Sequence, residues 1–122
     1  MMQAEGDGGG NRERFALNEL RDRVDGDDEL MREVLAVYLE DTPMVLDSLR
    51  QALEAGATES AAKAAHTLKG SSANVAAERL RSQAYELEQK ARAGELEAAR
   101  RLFAELQSEF QELKNTLNQY LA

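Results

Sequence analysis

The sequence predicts an all-α fold: an up-down antiparallel four-helix bundle with one or two short additional helices at its N-terminal side. Three observations predict it. The chain has 122 residues, of which 43% are hydrophobic, enough for one domain with one core. It contains one proline, and Ala, Leu, Glu, Arg and Gln, which favour helices, are abundant. Its apolar residues recur at intervals of three and four, the spacing of one helical face.

The N-terminal part is predicted to hold a tail and two helices. Residues 1–11 are Gly-rich and polar, so we expect a disordered tail before a helical domain of residues 12–122. A short first helix would cover residues 15–20 and be closed by Gly26. A second would begin at Asp27 or Asp28, since acidic residues suit a helix N-terminus, and end near Asp41. Its inward positions would be Leu30, Val34, Val37 or Tyr38, and Asp41.

The third and fourth predicted helices are bounded by typical start and stop residues. Thr42 can cap a helix and Pro43 suits its first position, so the chain is predicted to restart there. This third helix would end at Gly56. Thr58 is the expected cap of the fourth helix, which carries the only histidine, His66. The inward residues of the third helix would be Leu46, Leu49 and Leu53.

Two further helices complete the predicted bundle. The fifth covers residues 77–93, with Gly94 ending it, and its inward residues are Leu80, Ala84, Leu87 and Ala91. The sixth begins near Glu95, and its apolar positions form a heptad pattern: Ala99, Phe103, Leu106, Phe110, Leu113, Leu117 and Tyr120. Because the preceding loops are short, packing within one chain is favoured over self-association, and we expect a monomer.

Composition and charge narrow the classes of function. The formal net charge is −8, whereas binding of a nucleic-acid backbone needs a concentrated basic surface. The absence of cysteine excludes disulfides and thiolate metal sites. No apolar run reaches the roughly 18 residues of a membrane span, and no secretory signal is visible. We therefore expect a cytoplasmic protein that binds neither nucleic acid nor membrane.

The surroundings of His66 are unusual for a lone histidine. Helical geometry places it about 100° from the centre of the buried stripe, at the border with solvent. Lys63 and Lys69 flank it. Gly70 costs a helix about 1 kcal/mol relative to Ala, so it needs a reason: close packing between helices, or close approach of a partner. The buried stripe would be Ala61, Ala65, Leu68, Ser72 and Val75, and the small residues beside the histidine are Ala62, Gly70 and Ala73.

Acceptance of a phosphoryl group is the chemistry that best fits these surroundings. A metal site is disfavoured, because no Cys, second His or carboxylate lies three or four residues from His66. Nucleophile–base catalysis is disfavoured because no second histidine serves Ser71 or Ser72. A neutral imidazole is a competent nucleophile, and neighbouring lysines favour its neutral form and stabilise phosphate charge. The competing interpretation is a surface histidine without a role.

Residues 66–74 (HTLKGSSAN) resemble the signature of histidine-containing phosphotransfer domains of multistep phosphorelays. The resemblance extends over residues 15–120. It includes residues 26–30 (GDDEL), which resemble the family's first core helix, and Leu80, Leu87-Glu88, Arg92 and Gly94, which resemble the helix after the histidine helix. One departure is Ala76-Ala77, where the family commonly has Gly-Ala. A positive φ at Ala76 would be strained.

The resemblance implies a role for each matching residue. His66 would carry the phosphoryl group on its exposed ring nitrogen, Lys69 would help to hold that group, and Gly70 would leave room for the partner. Glu88 falls where the family places a Gln or Glu that hydrogen-bonds the other imidazole nitrogen. Lys63 is added to the site on geometry alone, and Arg92 is a weaker candidate.

The function implied is reversible phosphoryl transfer between His66 and aspartates of response-regulator receiver domains, downstream of a histidine kinase or hybrid kinase. No cofactor and no autonomous kinase activity are expected, because no glycine-rich phosphate loop is present. The receiver would supply Mg²⁺. Two alternative functions fit an all-α chain of this kind: a non-catalytic helical adaptor or dimerisation domain that uses the C-terminal heptad helix, and the phosphoacceptor part of a kinase. The second usually has an acidic residue where Thr67 stands.

Overall fold

The structure is a computed structural model that describes residues 17–121. The backbone of this part of the chain forms five α-helices and no strand: α1 Leu17–Arg23, α2 Asp28–Ala55, α3 Thr58–Asn74, α4 Glu78–Arg92 and α5 Leu96–Leu121. The predicted tail and the first two residues of the predicted first helix, Phe15 and Ala16, lie outside the described residues. None of the helices in residues 17–121 is long and apolar enough to cross a membrane.

Helices α2 to α5 form the four-helix bundle. Each packs against its neighbours in the chain, and α5 also packs against α2, which closes the ring. Turns of two or three residues join consecutive helices, so neighbours run antiparallel. The fold class is confirmed. Every inward position predicted for the third and fifth helices is buried, as is the heptad face of α5 except Tyr120, which is partly exposed.

Helix α2 runs unbroken through Pro43, so the prediction of separate second and third helices is wrong. Its buried positions keep a spacing of three and four on both sides of the proline: Met31, Leu35, Tyr38, Thr42, Leu46, Leu49 and Leu53. Burying this continuous stripe favours one helix. Thr42 is therefore no cap; its hydroxyl donates to the Tyr38 carbonyl at 2.6 Å.

The buried face of the first half of α2 also differs from the predicted one. Leu30, Val37 and Asp41 are exposed and Val34 is partly buried, whereas Tyr38, the predicted alternative to Val37, is buried. Met31 and Thr42, which were not predicted as inward, are buried too. Two apolar sets keep helical spacing within residues 28–41, and the prediction follows the one that begins at Leu30. The buried stripe of the C-terminal half, Leu46, Leu49 and Leu53, continues the other set, Met31, Leu35 and Tyr38. The exposed apolar residues lie on the outer surface of α2.

We expect Pro43→Ala to stabilise the protein by about 1–3 kcal/mol. In mid-helix, proline lacks the N–H that would bond to the Leu39 carbonyl, and its ring crowds that carbonyl. Pro43 is exposed, so the substitution removes no core contact. Urea denaturation followed by circular dichroism measures the change. Met44→Ala, at the next exposed position, is the control, expected to stay within about 0.5 kcal/mol. An unchanged or lower free energy of unfolding for Pro43→Ala would contradict the expectation.

The start of α3 differs slightly from the prediction. Gly56 ends α2 in the left-handed conformation, with φ of 70°, as predicted for a helix C-cap. Thr58 is the first residue of α3; the N-cap position belongs to Ala57, which makes no side-chain cap. The first turn of α3 therefore begins without the cap that was predicted.

The end of α3 is closed by a turn that places an alanine in a glycine conformation. Ala76 has φ of 59°, and the N–H of Ala77 bonds to the Ser72 carbonyl at 2.8 Å. This pattern normally has glycine at the left-handed position, so the predicted strain at Ala76 is present. The guanidinium of Arg23 in α1 donates to the carbonyls of Ala73 and Asn74 at 2.6 and 3.1 Å. Helix α1 thus covers the end of the bundle where the histidine helix stops.

Candidate functional site

His66 lies on α3 at the edge of the core, and its side chain is 63% exposed. The buried stripe predicted for this helix is confirmed: Ala61, Ala65, Leu68, Ser72 and Val75 are all buried. Ser72 and Tyr38 share a hydrogen bond of 2.8 Å beneath the helix. The stripe fixes the rotation of α3, and this rotation turns the imidazole of His66 towards solvent.

Glu88 on α4 is the centre of the site. Its side chain is only 5% exposed, and its Oε2 lies 3.1 Å from Nδ1 of His66. The same oxygen accepts a hydrogen bond from Nη2 of Arg92 at 2.9 Å. Nζ of Lys69 lies 3.0 Å from Oε1. One buried carboxylate thus joins the imidazole to two cations.

The environment of Glu88 determines the tautomer of His66. Burial raises the pKa of Glu88, but hydrogen bonds from Arg92, Lys69 and His66 outweigh it, and the net pKa is lowered. The ionised carboxylate only accepts hydrogen bonds, so Nδ1 of His66 carries the proton and donates it. Nε2 then keeps its lone pair, and no described residue hydrogen-bonds to it. The imidazole therefore presents a free nucleophilic nitrogen on its exposed side.

Lys69 lies between Glu88 and an exposed aromatic ring. Its Nζ is 5.3 Å from the centroid of the Tyr85 ring, within cation–π range. Tyr85 is 48% exposed and lies three residues before Glu88 on α4. The sequence did not single out Tyr85, although its position one turn before Glu88 could have drawn attention to it. The ring and the carboxylate together hold the ammonium beside the imidazole.

The structure separates the two reasons offered for Gly70. A Cβ placed on Gly70 meets nothing within 4 Å, so the bundle does not require glycine there. Close packing between helices is therefore not the reason for this residue. Ala62, by contrast, is completely buried in the core and does not belong to the exposed surface beside His66. Its small side chain packs inside the core of the bundle.

The other two basic candidates differ in their contacts. Arg92, the weaker candidate, is anchored to Glu88 and belongs to the cluster. Lys63 is exposed one turn before His66 and makes no ion pair within residues 17–121; only its carbonyl is engaged, accepting from Thr67 at 3.2 Å. The structure therefore brings together His66, Lys69, Glu88 and Arg92, and it leaves Lys63 outside this group.

An apolar groove lies between α2 and α3, next to this cluster. Its volume is about 300 Å³, and valines of α2 face polar residues of the histidine helix across it; the lining includes Val34, Val37, Val45, Thr67, Ser71 and Asn74. Leu30, Val37 and Met44 are exposed on α2 at intervals of seven residues. The sequence interpretation placed Leu30 and Val37 on the inward face and Met44 on a separate helix, and only a continuous α2 places all three on one exposed face.

Within residues 17–121, no group of three or more His, Cys, Asp or Glu side chains is placed to hold a metal ion. The functional groups that converge are one nucleophilic imidazole, two cations and the carboxylate that organises them. Such a set can accept an electrophilic group of high negative charge at Nε2 of His66. A phosphoryl group meets that description.

Comparison with known proteins agrees with this chemistry. The Hpt domain family matches residues 33–116. Histidine-containing phosphotransfer protein 4 of Arabidopsis thaliana is 30% identical over 106 residues, which cover 85% of this chain and 82% of the relative.

Solved structures show the same likeness. Histidine-containing phosphotransfer protein B of Pseudomonas aeruginosa PAO1 superimposes with a TM-score of 0.83 at 29% identity, covering 88% of this chain and 94% of that one. The HPT domain of an Hpt sensor hybrid histidine kinase from Shewanella gives a TM-score of 0.78 at 17% identity, covering 90% and 95%. The second match supports the fold alone.

Proposed function

The chain belongs to the Hpt domain family, and on that basis we propose that His66 is the residue that accepts and donates the phosphoryl group. The function of the protein is histidine phosphotransfer in a phosphorelay, and Hpt domains act there with histidine kinases and receiver domains. The observation that carries the assignment to His66 is the contact of its Nδ1 with the buried carboxylate of Glu88.

The proposed step is an exchange of one bond at phosphorus. The lone pair of Nε2 attacks the phosphorus of a receiver's aspartyl phosphate, the N–P bond forms, and the aspartate carboxylate leaves with the electrons of the broken O–P bond. Glu88 keeps the ring in the productive tautomer and orientation. Lys69 and Arg92 offset part of the phosphoryl charge. The reverse sequence returns the group to an aspartate.

Mg²⁺ belongs to the partner in this proposal. The acidic pocket of the receiver would hold the ion, which neutralises charge during transfer. The chain described here would contribute the nucleophile, its orientation and a docking surface, without kinase activity of its own. A monomeric state and a cytoplasmic location remain our predictions.

We propose that the receiver docks over Gly70 and the groove between α2 and α3. Gly70 is exposed beside His66, with open space where a side chain would be. The exposed residues Val37 and Met44 supply apolar surface on α2, and Val37 is 56% exposed. An apolar surface next to a nucleophile is what a protein donor needs in order to be aligned with it.

Lys69→Ala is expected to slow transfer about 10–100-fold while the fold is kept. The substitution removes a cation that lies 3.0 Å from Glu88, and charge-assisted contacts to a phosphoryl group are of that order. Rapid-quench measurement of single-turnover transfer from a phosphorylated receiver gives the rate. Lys63→Ala is the matched control on the same helix, with a smaller effect expected because Lys63 has no contact with Glu88. Equal rates for Lys69→Ala and the unmodified chain would remove Lys69 from the site.

Labelled transfer from a receiver tests the function itself. Receiver domains carrying a radioactive aspartyl phosphate are mixed with the chain in the presence of Mg²⁺. The proposal predicts that label moves to the chain, is acid-labile and survives alkali, as phosphohistidine does. Acid-stable label, or no transfer from any receiver of the same organism, would contradict it.

The adaptor alternative is not favoured. The apolar face of α5 on which it depended is already buried inside the bundle, and the residues on the outer face are mostly polar or charged. No continuous apolar surface on α5 is therefore left for a second helix.

A further inference from the structure

The charges around His66 decide how a phosphorylated ring would hold its proton. Glu88 contributes one negative charge, and its ion pairs with Lys69 and Arg92 contribute two positive charges, so the net charge of the cluster is +1. A phosphoryl group carries about −1.5 to −2 at neutral pH. A phosphorylated ring that keeps the proton on Nδ1 adds one positive charge, so the phosphorylated cluster would be close to neutral, and loss of that proton would make it negative.

We propose that Glu88 keeps the phosphohistidine easy to discharge: its negative charge beside Nδ1 holds the proton on the phosphorylated ring, so that the ring leaves as neutral imidazole. The inference rests on the proposed function of His66. Glu88 does not touch the phosphoryl group in this proposal. It acts through the imidazole and the two cations, and is therefore a positioning residue.

The chemistry of phosphoryl departure explains why the proton on Nδ1 matters. When the phosphoryl group leaves, the Nε2–P bond breaks, its electron pair returns to Nε2, and a new P–O bond forms to an aspartate or to water. With the proton still on Nδ1, the leaving group is neutral imidazole; without that proton it would be an imidazolate anion, a far poorer leaving group. A phosphorylated ring that keeps this proton is positively charged, and the carboxylate beside it stabilises that charge.

The geometry supports a charge effect in addition to orientation. Glu88 is 5% exposed, so solvent screens it little. A glutamine in its place could still accept from Nδ1–H through Oε1, with nearly the same shape but no charge. The titratable groups around His66 are Lys63 and Lys69 on α3 and Glu88 and Arg92 on α4; Asp41 on α2 lines the groove with Thr67, and no contact joins it to His66.

Glu88→Gln tests the charge of this residue. The full chain is phosphorylated with phosphoramidate, a small donor that needs no docking surface. The hydrolysis of the phosphohistidine is then followed by ³¹P NMR. We expect the label to last about tenfold longer in Glu88→Gln at neutral pH, the effect of one elementary charge at a partly exposed site. The discharge rate of Glu88→Gln should also fall at a lower pH than that of the unmodified chain, since Gln stabilises the protonated ring less.

Two further variants separate charge from structure. Arg92→Gln lowers the cluster charge from +1 to 0, and its label should disappear faster than that of the unmodified chain. Glu109→Gln is the matched control, because Glu109 is also a buried carboxylate, paired with Arg79 at 3.5 Å on the neighbouring helices, and its lifetime should not change.

The outcomes distinguish this inference from the function on which it rests. Equal lifetimes for Glu88→Gln and the unmodified chain would overturn the inference, as would a longer lifetime for Arg92→Gln. Either result would leave His66 as the phosphoryl acceptor. Absence of label on His66 in the unmodified chain, from phosphoramidate and from receivers alike, would instead contradict the proposed function itself.

Discussion

His66→Gln is expected to abolish phosphoryl uptake from a phosphorylated receiver. Glutamine has no nucleophilic nitrogen, because its amide lone pair is delocalised, while its amide can still reach the carboxylate of Glu88. His66 is largely exposed, so the free energy of unfolding should change by no more than about 0.5 kcal/mol. Rapid-quench labelling with a radioactive receiver measures uptake, and urea denaturation measures stability.

The control for this variant lies on the same helix. Ser60→Ala alters an exposed residue six positions before His66 and outside the lining of the groove, and it should keep at least half of the uptake rate. Label that persists on the His66→Gln chain at the level of the unmodified chain would place the phosphoryl group elsewhere. Ser71, Ser72 or a carboxylate would then be the acceptor, and label on Ser71 or Ser72 would be acid-stable.

Gly70→Leu is expected to reduce transfer from a receiver by about 100-fold or more, while the chain still accepts phosphate from phosphoramidate. The leucine would project into the open space beside His66, where the partner's backbone is proposed to approach. The small donor does not need that space. The ratio of the two rates therefore isolates docking from chemistry.

Two other variants support this comparison. Ser60→Leu adds the same side chain at an exposed position of α3, well before the histidine, and should leave both rates unchanged. Gly70→Ala should raise the free energy of unfolding by about 0.5–1 kcal/mol, because glycine is a poor helix former and a Cβ there meets no atom. If receiver-dependent transfer survives in Gly70→Leu, the receiver does not approach the backbone of Gly70 closely.

Much of the fold could be predicted from spacing alone. The buried faces of α3, α4 and α5 follow patterns of three and four that the structure reproduces. The error at Pro43 has a physical cause: local preference disfavours proline inside a helix, but the stripe from Met31 to Leu53 needs one continuous helix to be buried. The stabilisation from burying this stripe outweighs the unfavourable helix propensity of proline. Burial in the folded structure cannot be judged from a window of a few residues.

The candidate site was predictable in part. Residues 66–74 identify the histidine, the lysine and the glycine, since all lie on one helix with known geometry. The contacts of Glu88 and Tyr85 with Lys69 depend on how α4 packs against α3, so they needed the structure. The ion pair of Arg92 with Glu88 joins residues four apart on α4 and follows from helical spacing. Lys63 flanks His66 around the helix axis, as the sequence predicts, yet its side chain contacts none of these groups.

The most direct test of the central claim is to identify the phosphorylated atom. The chain is labelled with ¹⁵N-histidine, phosphorylated by a receiver and examined by ³¹P–¹⁵N correlation NMR; its single histidine makes the assignment unambiguous. The account predicts a phosphorus bonded to Nε2 of His66, with the proton on Nδ1 hydrogen-bonded to Glu88. A phosphorus bonded to Nδ1, or one that correlates with no histidine nitrogen, would contradict it.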